Sequence, residues 1–243
     1  MHFHQSSAEL KASAKEHMFG RYGSAIGAYL TVTLLTGFAT ISVSTLTGNT
    51  ASVFGVFIHY ALLFVISTLT GLLLSGTAYF YLKIVTGHRA TVNDIFAGFR
   101  MYSDKALIIQ AWITFITYIG SLPEYIVLYK MSDRFDTSMV MLYGLCMILS
   151  GLVAFILDLI YAPAFYLMHD FPQYSASELL AMSRRLMAGN KGRLFYIYLS
   201  YIPLLFLGVL SCGIAFLWIV PYMNATLAEF YMDIINKSNH PNQ

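Results

Sequence analysis

The ten residues Ser175-Ala-Ser-Glu178-Leu179-Leu-Ala181-Met-Ser-Arg184 decide the architecture, because variants of this stretch occur three times in the chain. The other copies are Ser6-Ser-Ala-Glu9-Leu10-Lys-Ala12-Ser-Ala-Lys15 and Thr91-Val-Asn-Asp94-Ile95-Phe-Ala97-Gly-Phe-Arg100. Each copy has Ser or Thr first, an acidic residue three positions later and a basic residue nine positions later. The copies begin at residues 6, 91 and 175, so 85 and then 84 residues separate them.

This pattern predicts a short capped helix. Ser or Thr followed three residues later by an acid is a capping box, which satisfies N–H groups that have no partner at a helix start. The acid favours the positive end of the helix dipole and the base favours the negative end. Apolar residues recur at one-turn spacing, at Leu179, Met182 and Leu186 in the third copy and at Val92, Ile95, Phe96 and Phe99 in the middle one. Beside long apolar segments, such helices are expected to lie in the membrane interface.

The composition indicates a polytopic membrane protein. Of the 243 residues, 58% are hydrophobic and 11% are charged, whereas soluble domains carry about 25% charged residues. The net charge of +2 is too small to indicate a nucleic-acid partner. Two cysteines inside apolar segments predict neither a disulfide framework nor a metal site, and no cofactor is predicted.

Six membrane spans of about 20 residues or more are predicted. Four are Tyr22–Thr47, about Ser52 to Leu82, Ala106–Leu128 and about Ser138 to Met168. The block Leu194–Ile235 has 42 residues, enough for two further spans joined at Ser211-Cys212-Gly213, although Asn224, Thr226 and Glu229 interrupt the sixth. The predicted fold is therefore an all-α, single membrane domain over residues 1–243. Its three repeats of interfacial helix plus hairpin cover about 6–87, 91–169 and 175–237.

The charge distribution predicts the orientation. Twelve of the 14 basic residues fall on one side of the six-span arrangement, so the positive-inside rule places both termini in the cytoplasm. The residues predicted to contact lipid headgroups there are Lys15, Arg21, Arg100, Lys105, Arg184, Arg185, Lys191 and Arg193. Tyrosines near the predicted span ends, including Tyr22, Tyr81, Tyr129, Tyr166 and Tyr231, are expected to form aromatic belts.

Asp158 stands out because it lies about 15 Å from the predicted inner end of the fourth span, near the middle of the bilayer. One interpretation is a cation or proton site; the other is a neutral Asp hydrogen-bonded to a neighbouring helix. Asn224 and Glu229 share the sixth span with Pro221, and broken helices with polar groups build many transporter sites. Asp158, Asn224 and Glu229 therefore form a candidate polar path. The chain has no H-E-x-x-H, G-x-S-x-G or P-loop motif, so no enzymatic activity is predicted.

Several motifs resemble those of a known family. They are Glu9-Leu10-Lys-Ala12, Asp94-Ile95-Phe96, Tyr161-Ala162-Pro163-Ala164, Asn190-Lys191-Gly192-Arg193-Leu194-Phe195 and Leu217-Trp218-Ile219-Val220-Pro221-Tyr222 with Asn224-Ala225. Together they resemble the bacterial integral-membrane family catalogued as domain of unknown function 975. The resemblance implies six spans and a bacterial plasma membrane, and it implies no activity or functional residue.

Two functional hypotheses follow. The first is a non-enzymatic membrane module that organises membrane lipids or partner proteins, such as other membrane proteins, at the cytoplasmic leaflet. This hypothesis depends on the three basic amphipathic helices. The second is a small transporter or channel whose polar path passes Asp158.

Overall fold

The computed structural model describes residues 5–47, 53–131 and 136–239, and within them every regular element is helical. The predicted start of the second span, Ser52, lies outside these ranges. The α-helices are α1 (Ser7–Met18), α2 (Tyr22–Thr47), α3 (Val53–Val85), α4 (Ala97–Arg100), α5 (Ser103–Met131), α6 (Thr137–Tyr161), α7 (Ala164–Asp170), α8 (Ala176–Leu186), α9 (Lys191–Leu199), α10 (Ile202–Leu210) and α11 (Phe216–Asn239). A 3-10 helix, Val92–Phe96, precedes α4.

The buried core lies at one end of the long helices, which we name the core end. In α2 the buried residues are Ala25 and Ala28, both near its start. In α3 the buried side chains concentrate between Leu72 and Val85, near its end. At the opposite end, which we name the far end, large apolar side chains such as Leu46 are exposed. Because water would make such exposure costly, these surfaces are suited to a bilayer.

Five helical segments are long and apolar enough to cross a membrane: Tyr22–Thr47, Phe54–Val85, Ser103–Lys130, Thr137–Asp170 and Lys191–Leu210. The sixth predicted span, α11, is not among them. Its polar residues Thr226 and Glu229 are buried, and the Thr226 hydroxyl pairs with the Tyr201 hydroxyl at 2.6 Å. The second half of α11 is thus built to contact protein.

Helix α11 nevertheless returns the chain to the core end. Arg193, near the start of α9, contacts Asp233 near the end of α11 at 2.6 Å. At the other end of this hairpin, Gly208 of α10 lies so close to the Phe216 ring that a Cβ atom there would be 2.3 Å from it. The segment α9–α10 and helix α11 therefore run antiparallel, and Lys237 lies at the core end.

The predicted caps form in the structure. The Ser6 and Ser175 side chains accept the N–H groups of Glu9 and Glu178, and both reciprocal bonds are present. In the middle copy the Thr91 N–H donates to the Asp94 carboxylate at 2.7 Å. That copy forms a 3-10 helix and the short α4, and not the single α-helix that the pattern predicts.

The apolar faces of these short helices contact protein, and their location in the membrane interface stays a prediction. Leu10, Met18, Ile95 and Leu179 are fully or almost fully buried. Phe99, the last apolar residue of the middle copy, is exposed. The ends of α3, α5 and α6 meet at the core end, so the helices between them have protein to cover their apolar sides.

Several tyrosines assigned to aromatic belts are also part of the core. Tyr81 and Tyr231 are almost fully buried, and Tyr166 stacks on Tyr231 with ring centres 5.1 Å apart. Tyr129, at the far end of α5, is exposed as a belt residue would be.

Candidate functional site

Arg21, one of the eight residues predicted to contact headgroups, is engaged inside the protein. Its guanidinium donates to the carbonyl oxygens of Ile84 at 2.9 Å, Gly87 at 3.2 Å and His88 at 3.3 Å. These carbonyls lie at or just beyond the end of α3, where a cation is favoured by the helix dipole. Arg21 therefore joins the start of α2 to the end of α3.

Lys105 and Arg193 make comparable contacts. The Lys105 ammonium donates to the Pro172 carbonyl, just after α7. The Arg193 guanidinium pairs with Asp233 and also donates to the Gln5 carbonyl at 2.9 Å. These contacts hold parts of the core end together, and they occupy donors that were predicted to face lipid.

The remaining predicted residues are exposed: Lys15, Arg100, Arg184, Arg185 and Lys191. Arg100 also donates to the Asn93 carbonyl at 3.3 Å. Arg185 differs from the others because it lines a cavity.

That cavity, which we name the basic pocket, has a volume of about 450 Å³ and lies between α7, α8 and α11. Its lining residues are Leu167, Met182, Arg185, Leu186, Ala188, Asn190, Ile234, Ile235, Lys237 and Ser238. Arg185 comes from the last turn of α8 and Lys237 from the last turn of α11. Cations at helix ends are favoured by the dipole, so ordinary helix termination places both charges at this rim.

The chemistry of the basic pocket suits an amphiphilic anion. Buried Leu167 and Ile234 contribute an apolar floor. Arg185 and Lys237 bring hydrogen-bond donors to the exposed rim, and the described lining contains no acidic residue. The Ser238 hydroxyl donates to the Ile235 carbonyl within α11. Guanidinium and ammonium groups bind phosphate through charge-assisted hydrogen bonds. The pocket can therefore hold a phosphate at its rim and an apolar group on its floor.

Other charged groups at the core end have protein partners. Burial alone would raise the pKa of Asp94, but hydrogen bonds from the Thr91 N–H and from the Lys83 ammonium, 2.9 Å away, keep that pKa below its ordinary value. Burial lowers the pKa of Lys11, whose ammonium lies 4.2 Å from the centre of the Tyr201 ring.

The three residues of the candidate polar path each lie beside a different partner. The Tyr198 hydroxyl of α9 donates to the exposed Asp158 carboxylate at 2.7 Å, as the hydrogen-bonded interpretation of that residue predicts. Glu229 is 8% exposed and lies 2.6 Å from the Nδ1 atom of His17, on α1. Asn224 lies beside the Tyr81 hydroxyl. Within the described parts of the chain, the three residues therefore have separate partners, Tyr198, Tyr81 and His17.

Sequence reasoning missed most polar members of the basic pocket. Lys237 counted only toward the charge bias, and Asn190 and Ser238 were given no role. About fifty residues separate Arg185 from Lys237, so only the antiparallel return of α11 brings them together. The sequence offered one signal that could have pointed to Arg185 and Lys237: both are basic residues in the last turn of a helix.

Comparison with protein families gave one match. The model of a family described as "Protein of unknown function (DUF975)" matches residues 1–238. Searches of curated proteins and of solved structures found no match.

Proposed function

Because the chain belongs to the DUF975 family of proteins of unknown function, we propose a function from the geometry of the core end. The protein is a non-enzymatic membrane module that organises anionic lipids at the cytoplasmic leaflet. Its basic pocket binds the phosphate of the lipid headgroup, and its core end faces the cytoplasm.

One observation carries this proposal: Arg185 and Lys237 line the same apolar-floored pocket, whose lining contains no acid. A basic residue near an anionic membrane surface contributes about 1 kcal/mol. Two such residues therefore contribute about 2 kcal/mol, which corresponds to about a 30-fold preference for anionic over zwitterionic lipid. The nearby acid Asp233 is paired with Arg193 and does not line the pocket.

The charge distribution supports the orientation. The strongly basic side of the chain is the side that carries the pocket, and positive residues favour the cytoplasmic side. Anionic lipids give the cytoplasmic leaflet a negative surface potential. A pocket at the core end lies at the level of the cytoplasmic headgroups, so it can bind a lipid phosphate while the protein stays embedded in the membrane.

Binding of short-chain lipids to the detergent-solubilised protein tests the proposal. Native mass spectrometry would compare dioctanoyl phosphatidylglycerol with dioctanoyl phosphatidylcholine, and glycerol 3-phosphate would serve as the soluble phosphate ester. We expect the wild-type protein to prefer phosphatidylglycerol by about 30-fold. The double variant Arg185→Gln, Lys237→Gln should lose most of this preference.

A matched control removes two exposed charges outside the pocket, in the double variant Lys15→Gln, Arg100→Gln. If this control loses as much preference as the pocket variant, binding is diffuse and the proposal fails. If glycerol 3-phosphate binds as tightly as phosphatidylglycerol, the pocket belongs to a soluble ligand and the lipid assignment fails. An interaction with partner proteins alone would leave both variants and the wild type without lipid preference.

A second candidate function, transport along a polar path, is favoured by the exposure of Asp158 within a candidate span. An exposed carboxylate at membrane depth costs about 2.5–3.5 kcal/mol unless it is hydrated, paired or protonated. A single cysteine at position 158, with Cys146 and Cys212 changed to Ser, would be treated with a membrane-impermeant maleimide. Labelling would support a water-filled path and justify flux assays. An unlabelled but folded protein would contradict the transport hypothesis.

A further inference from the structure

A large cavity lies at the far end, away from the basic pocket. It is a groove of about 910 Å³ between α3 and α5, which we name the far groove. The groove is lined on the α3 side by Phe57, Tyr60 and Phe64. On the α5 side it is lined by residues that include Phe115, Tyr125 and Lys130. Phe57 and Phe115 are 69% and 51% exposed, so the groove opens toward the surroundings of the helices. In a bilayer those surroundings are lipid.

The length of the far groove matches one leaflet. Its lining on α5 runs from Phe115 to Lys130, and fifteen helical steps cover about 22 Å. One leaflet contributes about 15 Å of hydrocarbon, or about 20–22 Å together with its headgroup region. The groove therefore extends from the interior of the leaflet to headgroup level, and Lys130 lies at its outer end.

The described lining of the far groove carries a positive charge at that outer end. Among the described residues of the lining, the charged one is Lys130. A carboxylate is close by, at Glu124, but the Ser150 hydroxyl of α6 donates to it at 2.7 Å and the Tyr143 hydroxyl at 3.5 Å. Glu124 thus contacts α6 and does not line the groove.

The floor of the far groove is built from aromatic rings of α3 and α5 in mutual contact. The Tyr60 and Tyr125 rings lie 4.3 Å apart, and the Phe64 and Tyr118 rings lie 5.6 Å apart in an edge-to-face arrangement. Such packing fixes the separation of α3 and α5 at the groove, because aromatic pairs have preferred geometries. An acyl chain is the apolar group that a bilayer supplies to such a surface.

From these observations we infer that the far groove binds an anionic phospholipid of the far-end leaflet. The acyl chain lies over the aromatic floor, and the Lys130 ammonium contacts the phosphate. This site is independent of the basic pocket, since it uses different helices at the opposite end of the chain.

Photo-crosslinking in liposomes tests the inference. Phosphatidylglycerol and phosphatidylcholine probes with a diazirine on the acyl chain would be compared, and the labelled peptides would be identified. For the wild-type protein we expect phosphatidylglycerol to label residues 115–130 about fivefold more than phosphatidylcholine does, the effect of one lysine near an anionic headgroup. Lys130→Gln should bring this ratio close to one while the phosphatidylcholine labelling remains.

Two further variants separate occupancy of the groove from general contact with lipid. Ala61→Trp places an indole in the groove, because Ala61 lines it, and should reduce labelling of residues 115–130 by both probes severalfold. Ala39→Trp on α2, outside the groove, should leave the labelling unchanged. Equal labelling of the wild-type protein by the two probes would overturn the headgroup assignment. Equal effects of Ala61→Trp and Ala39→Trp would overturn the groove as the site.

Discussion

Gly76→Ala tests how the 3-10 helix Val92–Phe96 is attached to the core. Gly76 lies in α3, where the chain of the 3-10 helix passes directly over it. A Cβ atom at this position would be 1.7 Å from the Ile95 carbonyl oxygen and 2.4 Å from the Ile95 carbonyl carbon. Both atoms belong to the backbone, so no side-chain rotation can relieve the clash.

The expected loss of stability follows from how far the distance between the added Cβ atom and the Ile95 carbonyl oxygen falls below an allowed contact. Cβ atoms in proteins essentially never approach another heavy atom within 3.0 Å, so the two segments must separate by about 1.3 Å. Inserting a methyl group into a packed core costs about 1–3 kcal/mol, and a rigid backbone neighbour places this site at the upper end. Alanine regains about 1 kcal/mol in a helix interior. The net loss is therefore about 2 kcal/mol, or a fall of about 4–8 °C in Tm.

The assay would heat the detergent-solubilised protein and measure the fraction that still elutes as a monodisperse species. Gly37→Ala is the matched control, because Gly37 lies inside α2 with no atom within 4 Å of its Cβ position. This control should keep or slightly raise Tm. If Gly76→Ala unfolds at the same temperature as Gly37→Ala, the 3-10 helix is not docked on α3 and the reasoning is refuted.

Three further predictions concern the core end. Leu179→Ala should lower stability by about 2–5 kcal/mol because Leu179 is fully buried in protein; a change near zero in thermal unfolding would mean that α8 lies on lipid instead. Asp94 has a folded-state pKa below its ordinary 3.8, so its stabilising contribution is complete above that pH and is lost as the pH falls through the lower, folded-state value. Asp94→Asn should therefore flatten the dependence of Tm on pH in that acid range, and an unchanged slope would contradict this. A double-mutant cycle of Arg193→Ala and Asp233→Ala should give a coupling energy of about 1–3 kcal/mol, since the pair is short and mostly buried; additive effects would show that the contact contributes little.

Much of the fold could be predicted from local sequence signals. The capping boxes at Ser6 and Ser175 form because they need only four consecutive residues. Long apolar segments predicted the first four spans, and the structure has a candidate membrane helix at each. An all-α polytopic protein follows from these two kinds of signal.

The surroundings of the short helices could not be predicted in the same way. An amphipathic pattern shows that one face is apolar, but it does not distinguish lipid from protein as the contact. Leu10 and Leu179 are buried because helices distant in sequence meet at the core end. The same limit applies to α11, which was predicted as a sixth span interrupted by polar residues: the sequence does not show that Thr226 and Glu229 have protein partners.

Basic residues that look equivalent in the sequence have different roles in the structure of the candidate site. Arg185 was predicted to contact headgroups because basic residues favour the cytoplasmic leaflet. Arg21 and Arg193 carry the same charge, but carbonyl and carboxylate oxygens of the core end accept their hydrogen bonds. Only the structure separates cations that hold the core together from those that can meet a ligand.

The most direct test of the proposed function is the lipid content of the purified protein. The wild-type protein and the variant Arg185→Gln, Lys237→Gln would be extracted from the same type of membrane, washed extensively in detergent and analysed by mass spectrometry of the retained lipids. We expect the wild-type protein to retain anionic phospholipid well above its share of the membrane, and the variant to retain much less. A retained lipid profile that equals the membrane and is the same for both proteins would contradict the proposal.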